Sequence, residues 1–193
     1  MNAVSIVLLV LTSIFILTSS AWRPAVFALA LQYLAAFLLI LPSWPLELAA
    51  VKLVTGWIAA SILGLTLLNL EEELRTPETQ VPTSPVFQIL AAALVALVVL
   101  GAAPRLATWT SAISVAQASG GLLLIGMGLL QLGLRADFFR ISIGLLTLFG
   151  GFEILYAAVE ASTLVAGLLA AVNLGIALVG SYLLLVPTLE EQP

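Results

Sequence analysis

The chain has 193 residues, of which 62% are hydrophobic and 8% charged, with a formal net charge of −4 and a mean hydropathy of +1.22. A soluble domain of this size cannot hide so much apolar surface, whereas a bilayer accepts it, so the composition excludes a soluble fold. With no Cys and no His, disulfides, thiol nucleophiles, iron–sulfur ligation, axial haem histidine and ordinary zinc sites are excluded, and proton chemistry falls to Glu, Lys, Tyr and water.

A membrane-spanning helix needs about 20 apolar residues at about 1.5 Å each. Seven segments of the chain fit: 3–22, 25–42, 46–70, 86–103, 112–134, 141–159 and 163–187. The first, MNAVSIVLLVLTSIFILTSSAW, lacks the basic leader of a cleaved signal peptide and reads as a retained span. Arg23-Pro24 ends it, and Pro42-Ser43-Trp44-Pro45 makes a tight turn after the second. The polar stretch EEELRTPETQVPTSP follows the third span, and Pro104-Arg105 follows the fourth, leaving 104–117 as a connection or an interfacial piece. Residues Arg135 to Arg140 break the chain after the fifth span, and Ala161-Ser162 turns it before the last.

The expected fold is therefore an all-α polytopic bundle of about seven spans. Residues 1–70 make a first three-helix unit, 71–85 a polar loop, 86–111 an extra helix with its connection, 112–187 a second three-helix unit and 188–193 a tail. The loops after spans 1, 3 and 5 carry Arg23, Arg75, Arg135 and Arg140, against Arg105 alone on the other side. Basic residues in short loops stay in the cytoplasm, so the N-terminus is expected outside and the C-terminal tail inside.

Glycines crowd spans 5 and 6: Gly120, Gly121, Gly126 and Gly128, then Gly144, Gly150 and Gly151. Small residues let helices approach closely in lipid. Paired glycines are also a cause of kinks, and Gly150-Gly151 lie just before Glu153.

Lys52 and Glu153 are the two charges placed well inside apolar segments. A charge in hydrocarbon costs about 2.5–3.5 kcal/mol on insertion scales, so it marks a pathway or a partner. Lys52 lies seven residues past Pro45 and Glu153 seven before Glu160, each roughly 10 Å below the same face. Matched depth and opposite sign make them natural partners. Two other readings stand beside that one: Lys52 snorkels to the interface on its long stem, and Glu153 is a protonated carboxyl hydrogen-bonded in the bundle. Gln32, Gln117, Gln131 and Asn173 interrupt other apolar runs, where interhelical hydrogen bonding is the commoner role. Trp22, Trp44, Trp109, Tyr182, Glu47 and Glu160 suit the interfacial belt.

Spans 1–3 and 5–7 share a layout of apolar span, basic turn, second span, tight turn and third span. The layout resembles the three-helix K subunit of respiratory complex I and the C subunit of multisubunit sodium/proton antiporters. PLELAAVKLVTGWIAASILGLTLL is similar to the third helix of the antiporter C subunit. GLLQLGLRADFFRISIGLLTLFGGFEILYAAVEA followed by LLAAVNLGIALVGSYLLL is similar to helices two and three of the complex I K subunit. Nearly the whole chain resembles component E of hydrogenase-4, with its seven spans, extra fourth span and a Lys at the place of Lys52.

The resemblance implies a non-catalytic subunit of a complex I-like, hydrogenase-like or antiporter-like assembly in a prokaryotic inner (cell) membrane, with other membrane subunits and lipid as partners and no nucleic acid. The subunit would bind no cofactor and no metal itself. The K subunit carries one buried Glu in its second helix and one in its third. Here Leu146 and Asn173 take those positions in the second unit, Gln32 falls near the first position in the first unit, and Glu153 lies two turns beyond Leu146. The expected proton or cation path thus involves Glu153, Lys52, Gln32 and Asn173. The rivals are a purely structural accessory subunit of a respiratory or photosynthetic complex, and a small free-standing transporter with a break near Gly150-Gly151.

Overall fold

The computed structural model describes residues 2–70, 84–134 and 137–190. They form seven helices: α1 (Asn2–Thr18), α2 (Trp22–Ile40), α3 (Leu46–Asn69), α4 (Pro85–Trp109), α5 (Val115–Leu134), α6 (Phe138–Val159) and α7 (Thr163–Glu190). Six are long and apolar enough to cross a bilayer, and α1, with 17 residues, is at the short limit. The protein is an all-helical integral membrane protein. Arg75, Arg135, residues 71–83 of the polar loop and the end of the tail from 191 lie outside the described residues.

Local chemistry sets the helix ends. Ser84 caps α4, accepting from the Phe87 amide at 3.2 Å with Pro85 at the first helical position. Asp137 caps α6 by accepting from the Arg140 amide at 2.8 Å. Within the helices Thr12, Thr18, Thr55, Thr66 and Ser142 donate their hydroxyls to carbonyls four residues back. Their polar atoms are thereby satisfied where lipid offers no partner.

Two expectations need correction, and the alternative of a break at Gly150-Gly151 falls away. The first span stops at Thr18 rather than 22, because Ser19 closes the last turn on Phe15 at 2.8 Å and the chain leaves the helix at once. The fourth does not end at Pro104: α4 runs through it to Trp109. A proline removes one backbone donor, and leaving the helix in an apolar setting would strand several more. Only 110–114 then separate α4 from α5, so 104–117 is not an independent interfacial segment. Finally, α6 is continuous across Gly150 and Gly151.

The glycines serve contact instead. A Cβ on Gly121 would sit 3.0 Å from the Gly151 carbonyl oxygen, and one on Gly128 would sit 2.8 Å from that of Gly144. Backbones of α5 and α6 therefore touch, the small-residue packing that holds helices together in lipid.

The two three-helix units lie side by side and run in the same sense. α1 packs on α5, α2 on α6 and α3 on α7, while the extra helix α4 leans on α5 and α1. Asn2 and the turns at 41–45, 110–114 and 160–162 share one face of the bundle, called the N-face below. Buried side chains fall into two apolar clusters. One, with Leu39, Trp44, Leu124 and Ile154, lies toward the N-face. The other, with Leu29, Leu63, Ile143 and Leu146, lies toward the opposite face. The candidate site occupies the seam between them.

Candidate functional site

Lys52 on α3 and Glu153 on α6 form an ion pair, and both side chains are almost completely buried, at 5% and 2% exposure. The Asn173 amide, from α7, donates to Glu153 Oε1 at 2.9 Å. The Tyr33 hydroxyl, from α2, donates to Asn173 Oδ1 at 3.0 Å. The Tyr33 ring returns to the start of the circuit, with Lys52 Nζ 4.8 Å from its centroid. Four helices from both units thus contribute one residue each to a closed polar ring.

The physical logic is mutual. A lone charge at this depth is costly, whereas the pair offsets each partner's lost hydration only if remaining polar atoms also find partners. Asn173 supplies that second contact to the carboxylate, and the desolvated face of Tyr33 supplies a cation–π contact to the ammonium, worth about 2 kcal/mol in such settings. Both groups facing Glu153 are donors, which suits an acceptor-only carboxylate. The snorkelling reading of Lys52 is overturned, because its ammonium turns inward to Glu153. Gly56 makes room for the ring: a Cβ there would run into Tyr33.

Gln32 belongs to a second, adjacent cluster. Its amide donates to Ser13 Oγ at 2.8 Å, and Thr147 Oγ1 donates to its carbonyl at 3.0 Å. No hydrogen bond among the described residues joins it to Glu153; the two clusters meet through the neighbouring Tyr33. Two small cavities flank the ring. One of about 10 Å³ lies between Gln32, Tyr33, Leu146, Thr147 and Gly150. Another of about 10 Å³ touches Lys52 and Glu153 and is roofed by Trp44 and Leu48. Each is close to the smallest space that admits one water.

Several side chains take roles that their positions in the sequence do not suggest. Arg140 is 2% exposed, and its guanidinium donates to the Ile16 carbonyl at 3.1 Å and the Ser19 carbonyl at 2.6 Å. A cation thereby closes the C-terminal end of α1, where unsatisfied carbonyls and the helix dipole favour it. Trp44, expected in the interfacial belt, is 5% exposed and its indole donates to the Glu160 carbonyl at 2.8 Å. Gln117 donates to the Leu39 carbonyl at 3.1 Å and to Ser43 Oγ at 2.7 Å, tying α5 to the end of α2. Gln131 is buried with neither polar atom partnered among the described residues. Trp109 and Tyr182 are exposed, as an interfacial belt requires.

Among the described residues no group of three or more acidic side chains comes together as a metal site. No protein-family model, curated protein or solved structure matches the chain.

Proposed function

We propose that the protein is a membrane subunit of a complex I-like, group 4 hydrogenase-like or antiporter-like assembly, in which it packs against neighbouring subunits and carries part of a proton path through Glu153. The observation that supports this reading is the buried Lys52–Glu153 pair, closed by Asn173 and Tyr33 and flanked by two cavities of about one water each. Buried ionisable groups in spans are expensive and by default functional. Cavities this small fit proton exchange between side chains and single waters better than passage of a hydrated cation. Glu153 and Lys52 are the titrating members, Asn173 and Tyr33 hold them, and the Gln32–Thr147–Ser13 cluster supplies the next polar step.

A second reading is a scaffold in which the ring is purely a lock between the two units. The completeness of the ring favours it, since Glu153, Asn173 and Tyr33 all bond within it. The test is gentle purification from native membrane, identification of the subunits that accompany the protein, and reconstitution of that assembly in vesicles. Glu153→Gln keeps size and hydrogen bonding but cannot titrate. Loss of proton movement with assembly intact supports the path; unchanged proton movement leaves the scaffold.

A further inference from the structure

The least buried helix, α4, carries a feature that the ring does not explain. Between α4 and α5 lies a groove of about 310 Å³ lined by Leu94, Val95, Val98, Ala102, Leu122 and Ile125 among others, with no polar side chain in its wall. The helices close at one end, where a Cβ on Gly126 would lie 2.6 Å from Val95 Cγ1. From there the groove runs toward the N-face.

Helical spacing continues the groove face upward. Leu94, Val98, Ala102, Arg105 and Trp109 fall on one side of α4 at intervals of three or four residues. Arg105 and Trp109 are both exposed, Trp109 at 90%. Arg105 Cα stands about 4.5 Å above Ala102 along the helix, at the mouth of the groove. The Arg105 side chain has no acidic partner among the described residues. Pro104, just beside it, removes an α4 backbone donor at the same level.

Size decides what fits. The groove's volume of about 310 Å³, spread over the roughly 12 Å between Leu94 and Ala102, gives a cross-section of about 26 Å². A slot this narrow takes one slender hydrocarbon chain along its length, whereas a partner helix of about 10–12 Å diameter would reach into it by its side chains alone.

We propose that the α4–α5 groove and Arg105 form a site for an anionic phospholipid, with one acyl chain in the groove, the phosphate at the Arg105 guanidinium and the Trp109 indole at the headgroup. Guanidinium recognises phosphate by paired N–H donors as well as by charge. The site is independent of any role for Glu153.

The experiment uses the full chain, delipidated in mild detergent and mixed with phosphatidylglycerol or phosphatidylcholine, and counts retained lipids by native mass spectrometry. Wild type retains one phosphatidylglycerol under conditions that strip phosphatidylcholine. Arg105→Gln weakens phosphatidylglycerol retention by about fivefold, toward the phosphatidylcholine level. Ala102→Phe, which fills the groove, removes the retention of phosphatidylglycerol. A photoreactive benzoylphenylalanine at Val98, in native membrane, gives an adduct of phospholipid mass. Equal retention of the two lipids by wild type, indifference of Arg105→Gln, or a photo-adduct with another protein overturns the proposal.

Discussion

Lys52 and Glu153 meet at the seam between two three-helix units, each unit supplying one charge and one of its two supports. Tyr33 and Lys52 come from the first unit, Glu153 and Asn173 from the second. The ring therefore reports on the docking of the units as well as on their chemistry. Removing one partner strands the other charge, at a cost of about 3–5 kcal/mol for a buried pair. Lys52→Met and Glu153→Leu are each expected to destabilise the protein in detergent unfolding, and the double substitution to recover part of the loss. Strictly additive losses in that double-mutant cycle are incompatible with a pair that interacts.

Gly56 is expected to tolerate no side chain, because its Cβ would occupy the place of the Tyr33 ring. Gly56→Ala should cost about 1–3 kcal/mol, the range for overpacking. Adding Tyr33→Ala should relieve the clash, so that Gly56→Ala costs less in that background than in wild type. Thermal unfolding of the four proteins measures it. An equal cost in both backgrounds would show that the glycine serves something else.

Arg140 is expected to hold the end of α1 against the bundle. Arg140→Met removes two charge-assisted bonds to the Ile16 and Ser19 carbonyls, each worth about 1.5–3 kcal/mol. Hydrogen exchange should rise at the end of α1 and at Ser19 while α7 stays protected. Arg140→Lys should rescue only in part, since a point charge cannot span both carbonyls as a planar fork does. Full rescue by Lys would assign the effect to charge alone.

The expected orientation rests on arginines in short loops. Arg23 lies on the face opposite the N-face and Arg105 near the N-face, while the buried Arg140 no longer counts as a loop charge. A reporter active only in the cytoplasm is expected to work when fused after Pro193 or inserted near Thr79. Activity at the N-terminus with silence at Pro193 reverses the orientation.

The helices and the depth of the charges were legible in the sequence because both depend on local pattern. Apolar runs of span length and their polar breaks fix where helices lie, and loop parity brings Lys52 and Glu153 to one level. Asn173 stood out as a polar residue in an apolar run. Tyr33 did not, since an aromatic residue there reads as packing; the need of a buried hydroxyl for a partner was the available signal. Gln32 is visible in the sequence but its partners are not, because which faces of α1, α2 and α6 meet depends on packing across the seam. Arg140 misled for a definite reason. Its position beside a turn is that of a topology-setting arginine, and only the fold brings the carbonyls of α1 to it. Pro104 looked like a stop, yet a span in lipid keeps its helix past a proline because the alternative leaves more backbone groups unsatisfied.

A proton path through Glu153 requires its carboxyl to change protonation at work. Infrared difference spectroscopy of the intact membrane assembly, recorded while a proton gradient is imposed and released, follows that carboxyl directly. A working path gives a carboxyl stretching band that shifts on deuteration, appears and disappears with the gradient, and is missing in Glu153→Gln. A spectrum with no carboxyl change, identical in wild type and Glu153→Gln, would contradict it and leave the ring as a lock.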